Sequence, residues 1–347
     1  MPLDPGRSVT AILLSYNSEA FIAEALASLL AQDCEPMEVI VSDDASTDAT
    51  YEILRQEVSR YRGPHRIDLR RRSRNTGSKS AHLNHVFPTV KGDILVSFDA
   101  DDISQTFRVR RIVEAFEKGP RIKAVYSSYL LIDEAGRAIG PGNVPHPAVG
   151  VPANRWFARV DANAAGTTLA IRREVAEAFG PIDPEIAEDI VLPFRASLLG
   201  DVVFLDHSLV RARRHANSLT TNLASFESLD RYRERIQRGV TDARRNLGSR
   251  LADIQVAEQR HGLGNEEVRE LHEIANRSLH EAERSADLTA TSLPRRLATL
   301  FWLISRGAYP QYLRQHVALA VMPRTYLRYK RRKLHARAAA RRTVAEP

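Results

Sequence analysis

At 347 residues, 43% hydrophobic and 27% charged, the chain is long enough for one large domain or two moderate ones, each with a buried core. A single cysteine, Cys34, excludes an internal disulfide and any cysteine-based zinc cluster. The formal charge of +7 is uneven: residues 295–347 hold thirteen Lys or Arg against Glu346 alone, a net of +12, which leaves the other 294 residues at −5.

The opening stretch MPLDPGRSVT has no apolar run, so no secretory leader is expected. Runs such as LATLF, before Trp302, are too short to span a bilayer. From there the chain alternates. VTAILLS reads as a buried strand and EAFIAEALASLLAQ as a helix with apolar residues three and four apart. MEVIVSD is a second strand, and STDATYEILRQEVSRY a helix for which Ser46 is the expected cap. RIDLRR and KSAHLNHVFPTV repeat the pattern, as do GDILVSF and SQTFRVRRIVEAFEKG. Buried strands alternating with helices predict a mostly parallel α/β sheet covered on both faces. Ligands of such sheets sit beyond the carboxyl ends of the strands. The polar clusters SYNSE, SDDAST and DADD each follow a strand end, so they converge on one edge as a site.

Residues 133–160 are rich in Gly and Pro and read as a loop excursion. AGTTLAI is expected to be a strand, REVAEAFG and AEDIVLPFRASLLG helices, and DVVFLD and SLVRARRH the last two strands. Beyond about residue 220 the spacing turns helical over many turns, is broken by HGLGN, and resumes. This predicts an antiparallel helical hairpin at 221–294, packed on the body or pairing with a second subunit as a homodimer. The segment 295–347 is basic and amphipathic, with Trp302, Tyr309, Tyr312, Tyr326 and Tyr329 among the cations.

Asp99, Asp101 and Asp102 stand within four positions after ILVSF. Like charges this close need a cation nearby. A D-x-D at a strand end presents oxygens suited to Mg²⁺ or Mn²⁺, ions held by one or two carboxylates plus substrate phosphates. Asp102 is expected to stabilise the turn that follows, and Asp43 is as suited to capping a turn as to touching a ligand.

Six segments in this order, ILLSYNSEAFIAEALASLLAQ, EVIVSDDASTDAT, NTGSKSAHLN, GDILVSFDADD, AEDIVLPFRA and RRHANS, resemble inverting glycosyltransferases of family 2. The resemblance covers residues 8–220 and implies the GT-A fold, a Rossmann-like sheet that binds nucleotide-diphosphosugars, over a catalytic domain at 1–220. It implies that Ser15, Tyr16, Asn17 and Glu19 form the nucleotide loop. Asp44 would accept a hydrogen bond from the base, suiting a uracil or thymine N3–H. Asp99 would lie near ribose and diphosphate, with Lys79 and Glu188 also at the nucleotide-sugar. Asp101 and His215 would hold the Mn²⁺ or Mg²⁺, and Asp189 would be the catalytic base. NTGSKSAHLN is one residue longer than the family's usual spacing, which leaves the register of Lys79 and Asn84 open.

The chemistry this implies is a metal-dependent, non-processive transfer from a UDP- or dTDP-type donor to a hydroxyl of a glycan or lipid-linked acceptor, in surface polysaccharide or glycolipid synthesis. A Gln-x-x-Arg-Trp acceptor motif is absent from the sequence. The expected place is the cytoplasm, with the basic segment attaching to the anionic inner face of the plasma membrane. Nucleic acid is a poorer partner, because no groove-reading module accompanies the charge. Two competing readings are a sugar-1-phosphate nucleotidylyltransferase and a non-catalytic scaffold on the same fold. The first would need a Gly-rich loop where LLSYNSEAF stands.

Overall fold

A computed structural model describes residues 8–215, 228–290, 292–305, 313–323, 325–330 and 332. Its contacts divide into two units. One holds Met1–Ala158, Ala162–Arg214 and Ser249–Leu271; the other holds Arg159–Asp161, His215–Gly248 and His272–Pro347.

The first unit is an α/β sheet. Strands β1 (Val9–Ser15), β2 (Glu38–Asp43), β3 (Arg66–Arg71) and β4 (Ile94–Asp99) pair in parallel in the order β3-β2-β1-β4. Every residue of β1 is buried, as a strand covered on both faces requires. Between these strands run α1 (Ile22–Leu30), α2 (Thr50–Arg60) and α3 (Lys79–Val86). Val39, Val41, Leu13, Val96 and Phe98 meet Ile22, Leu26 and Leu54 in one apolar core.

Beyond β4 the sheet becomes mixed. A two-residue β5 (Ile103–Ser104) precedes α4 (Arg108–Phe116), so Ser104 to Thr106 are not helical as expected. Ile122–Ile132, unassigned from sequence, forms the long strand β6, and β7 (Ala138–Pro141) folds back on it out of the Gly/Pro-rich stretch. After α5 (Ala153–Phe157), the stretch AGTTLAI is a single 3₁₀ turn, Gly166–Thr168, and then a short β8 (Ala170–Arg172). α6 (Arg173–Ala178) and α7 (Glu188–Leu199) follow, and the two expected last strands are one strand, β9 (Asp201–Arg213). The order continues β4-β8-β6-β9-β5, with β8 antiparallel to both neighbours.

The predicted hairpin is present as α8 (Leu229–His261) and α9 (Asn265–Ala286), joined through Gly262 at φ 73°. Its helices run antiparallel, with Arg244 Nε donating to Glu283 Oε1 at 2.8 Å. The far end of the hairpin belongs to the first unit, where Arg195 of α7 donates from Nε to both Asp253 carboxylate oxygens at 3.1 and 3.0 Å. Arg250 donates to the Phe157 carbonyl at 2.9 Å. Ile254, Ala257 and Leu271 are buried there.

The second unit has its own core, in which Tyr232 of α8 packs with Leu288, Leu300, Leu303, Leu319, Tyr326 and Leu327. The basic segment contributes α10 (Leu293–Ser305) and α11 (Leu313–Val321) to it. The expected boundary at 220 and much of 306–347 lie outside the described residues. Among the described residues no helix is long and apolar enough to cross a membrane.

Candidate active site

Strand register assembles the site. Leu14 pairs with Asp99, Ser15 with Asp43, and Asp43 with Arg71, so the carboxyl ends of β1 to β4 share one edge. The loops after β1 and β2 are sewn together across that edge. Asn17 N–H donates to Ser46 Oγ (2.9 Å), Thr47 N–H to Asn17 Oδ1 (2.9 Å), and Ala49 N–H to Glu19 Oε2 (2.9 Å). Asn17 and Ala45 hold φ of 47° and 60°, the left-handed region that side chains with a Cβ rarely adopt. Such strain survives only where neighbours over-determine it, which these bonds do. Ser46 is therefore not the α2 cap. It donates to the buried Asp43, whose other oxygen takes the Ser46 N–H (3.0 Å), while Glu19 and Asp48 serve the first turn of α2. Asp44 is buried and accepts from Thr76 N–H (3.0 Å) and Thr76 Oγ1 (2.7 Å), which fixes the turn before α3. Tyr16 is exposed at the loop tip.

At the end of β4 three carboxylates meet two buried arginines. Arg108, fully buried over the Phe98 ring, donates to the carbonyls of Ser97 and Thr167 at 2.7 Å each. Burial depresses its pKa to about 10, with Asp99 and Asp102 working the other way. Arg213, at the end of β9, donates its N–H to Asp102 Oδ1 (2.7 Å), its Nε to the Asp101 carbonyl (2.9 Å), and pairs with Glu24. Asp102 thus ties β4 to β9 rather than stabilising the next turn. Burial, then the charges of Asp99 and Asp101, push its carboxyl up to about 7.

The opposite wall is the start of α7. Asn84 of α3 exchanges two hydrogen bonds with the Ile182 backbone (2.7 and 2.8 Å), and Ser80 Oγ donates to the Ile186 carbonyl. These bonds hold α3 against the segment before α7, with Lys79 in the first turn of α3. The Lys79 Nζ lies 2.5 Å from Asp99 Oδ1 and 2.7 Å from Glu188 Oε1. Burial alone would lower the Lys79 pKa; the two carboxylates more than offset it and raise it. Pro193, inside α7, has no N–H to give the Asp189 carbonyl four residues back. Ala164 N–H takes that carbonyl instead, at 2.9 Å. This draws Gly166 so close that a Cβ there would stand 2.8 Å from Glu188 Oε1. Asp189 is pushed up to about 7 by burial, then by Glu188 and Asp99, with Lys79 opposing. A carboxyl near neutrality is suited to general-base work.

The profile of Glycosyl transferase family 2 matches residues 10–180. Residues 10–180 form a domain of that family. The chain is 34% identical over 150 residues to the putative glycosyltransferase EpsE of Bacillus subtilis, an alignment covering 42% of this chain and 52% of EpsE. The chain thus spans about half the length of that relative. Among solved structures, it superposes on S. aureus TarS in complex with UDP-GlcNAc with a TM-score of 0.52 at 17% identity, over 90% of this chain and 91% of that one. The mannosyltransferase PcManGT of Pyrobaculum calidifontis, in complex with GDP-Man and Mn²⁺, superposes with a TM-score of 0.50 at 19% identity, over 91% and 86%. These two likenesses carry the GT-A fold alone.

The structure brings Ser15, Asn17, Glu19, Asp44, Lys79, Asp99, Glu188 and Asp189 onto linked strand ends and helix starts. His215 lies two residues past β9 and falls in the second unit; the rest of RRHANS is outside the described residues. Among the described residues no three His, Cys, Asp or Glu side chains are grouped to hold a metal by themselves. The donor chemistry still fits a hard cation completed by substrate phosphates. Asp99, Asp101 and Asp102 put three carboxylates at the β4 end, negative charge that such a cation would offset. Arg108, Arg213 and Gly166 are not assigned from sequence, since each has partners 11 or more positions away. Only Arg108 left a signal, a cation on the apolar face of a helix between Phe107 and Val109.

Proposed function

We propose that the chain transfers a sugar, with inversion, from a nucleotide-diphosphate sugar to a hydroxyl of a glycan or lipid-linked acceptor, as a non-processive enzyme of surface polysaccharide or glycolipid synthesis at the cytoplasmic face. The observation that carries this is the Lys79 bridge between Asp99 and Glu188, with Asp189, raised to about 7, as the next residue. Asp189 takes the acceptor hydroxyl proton as that oxygen attacks the anomeric carbon. The bond to the diphosphate breaks on the opposite face, and the nucleoside diphosphate leaves with its electron pair. Lys79 faces the departing oxygens from Asp99. Asp101 and His215 would hold a Mn²⁺ or Mg²⁺, which would neutralise charge on the diphosphate.

Ser15, Tyr16, Asn17 and Glu19 frame the nucleotide. Asp44 takes the base. A carboxylate has roughly four acceptor positions, and the bonds from Thr76 leave room for one N–H, which favours a UDP- or dTDP-type donor. Melting temperatures with UDP, dTDP, GDP and CDP, each with and without Mn²⁺ or Mg²⁺, test the reading, because a ligand of the native state raises them by mass action. One nucleotide is expected to give a metal-dependent rise that Asp101→Ala loses. No rise with any of them would overturn it.

A further inference from the structure

Ten large apolar side chains stand exposed among the described residues, and seven of them fall between Leu293 and Tyr329. α10 buries Thr299, Leu300 and Leu303, yet the face it turns to solvent carries Phe301 (70% exposed) and Ile304. α11 buries Leu319 and Ala320 and exposes Val317 and Val321, with Met322 just beyond. The next turn buries Tyr326 and Leu327 and exposes Tyr329 beside Arg328. A surface helix of a water-soluble unit carries polar residues on that face. Here the exposed side chains run, in chain order, Phe301, Ile304, Val317, Val321 and Met322, then Arg328 and Tyr329.

Charge says what covers it. From residue 288 to 345 the sequence has thirteen Lys or Arg and no Asp or Glu. We infer that the outer faces of α10, α11 and the Tyr329 turn dock on an anionic lipid bilayer, with Phe301, Ile304, Val321 and Met322 below the headgroups and Arg328, Lys330 and Arg332 on the lipid phosphates. Helices that lie in a membrane interface combine these two faces. A second copy is a poor occupant, because a twofold interface would bring the same cationic segment against itself. Nucleic acid satisfies the cations but leaves Ile304, Val321 and Met322 without a role.

The test is co-sedimentation of the full chain with vesicles of phosphatidylcholine and of phosphatidylcholine mixed with phosphatidylglycerol. Binding is expected to the mixed vesicles only, and to weaken with added salt. Phe301→Ser and Met322→Ser should each lower partition about tenfold, and Arg328→Glu by at least about as much. Their melting temperatures and nucleotide-induced shifts should match wild type, so a failure here is separate from a failure of the transfer reading. Absence of vesicle binding, equal binding to neutral vesicles, or full binding by all three variants overturns the proposal. So does a dimer in sedimentation velocity that Phe301→Ser dissolves, or salt-sensitive oligonucleotide binding without vesicle binding.

Discussion

Lys79 Nζ sits 2.5 Å from Asp99 Oδ1, which joins the first turn of α3 to the carboxyl end of β4. The same ammonium reaches Glu188 at the start of α7, so one cation holds the two walls of the site. Hydrogen bonds to charged groups contribute about 1.5–3 kcal/mol. Lys79→Met should therefore weaken nucleoside diphosphate binding about ten- to a hundredfold, measured by titration calorimetry. It also removes the charge that opposes the rise of Asp189, so the acid limb of the pH–rate profile should move to higher pH.

Asp189→Asn removes the proposed base. Loss of about 10²–10⁴ in kcat is expected, the usual contribution of a positioned acid or base, with donor binding retained. In the wild type, the rate should rise with pH to a plateau above about 7, as the carboxyl ionises. A flat profile from pH 5 to 8 would exclude Asp189 from the role.

Stability should move the other way. Between an ordinary carboxyl pKa of about 3.9 and the raised value of about 7, folded Asp189 keeps a proton that the unfolded chain has lost. The folded state then binds more protons, so its stability falls as pH rises through that window. Asp189→Asn should flatten this fall in urea unfolding curves.

Gly166→Ala places a Cβ 2.8 Å from Glu188 Oε1 and 3.2 Å from Asp189 Cβ. Overpacking of this kind costs about 1–3 kcal/mol. The expected outcome is a lower melting temperature together with lost transfer, since the two carboxylates must shift.

Arg195→Ala takes both hydrogen bonds from the buried Asp253 and leaves it only the charge of Arg250. Breaking one side of a buried pair costs about 3–5 kcal/mol. Acidification should partly restore the variant, because burial already pushes the Asp253 carboxyl up and Arg195 is what restrains it.

Sequence alone determined the local pieces. Strands β1, β2 and β4 are legible because each is a short, mostly apolar run that the fold buries, and the hairpin because its apolar period is helical over many turns. The edge on which SYNSE, SDDAST and DADD converge follows from parallel pairing, since parallel strands present their carboxyl ends together. The family motifs named Lys79, Asp99, Glu188 and Asp189, but not the bridge among them. Tertiary structure decided everything that depends on partners far along the chain. It made β9 one strand by pairing it along the whole of β6, a register no local pattern contains. It moved Ser46 from a helix cap to a loop clasp, and set Asp102 against Arg213, 111 positions away. It also raised Asp189 to about 7. A pKa follows from burial and neighbouring charge, and neither exists until the chain has folded.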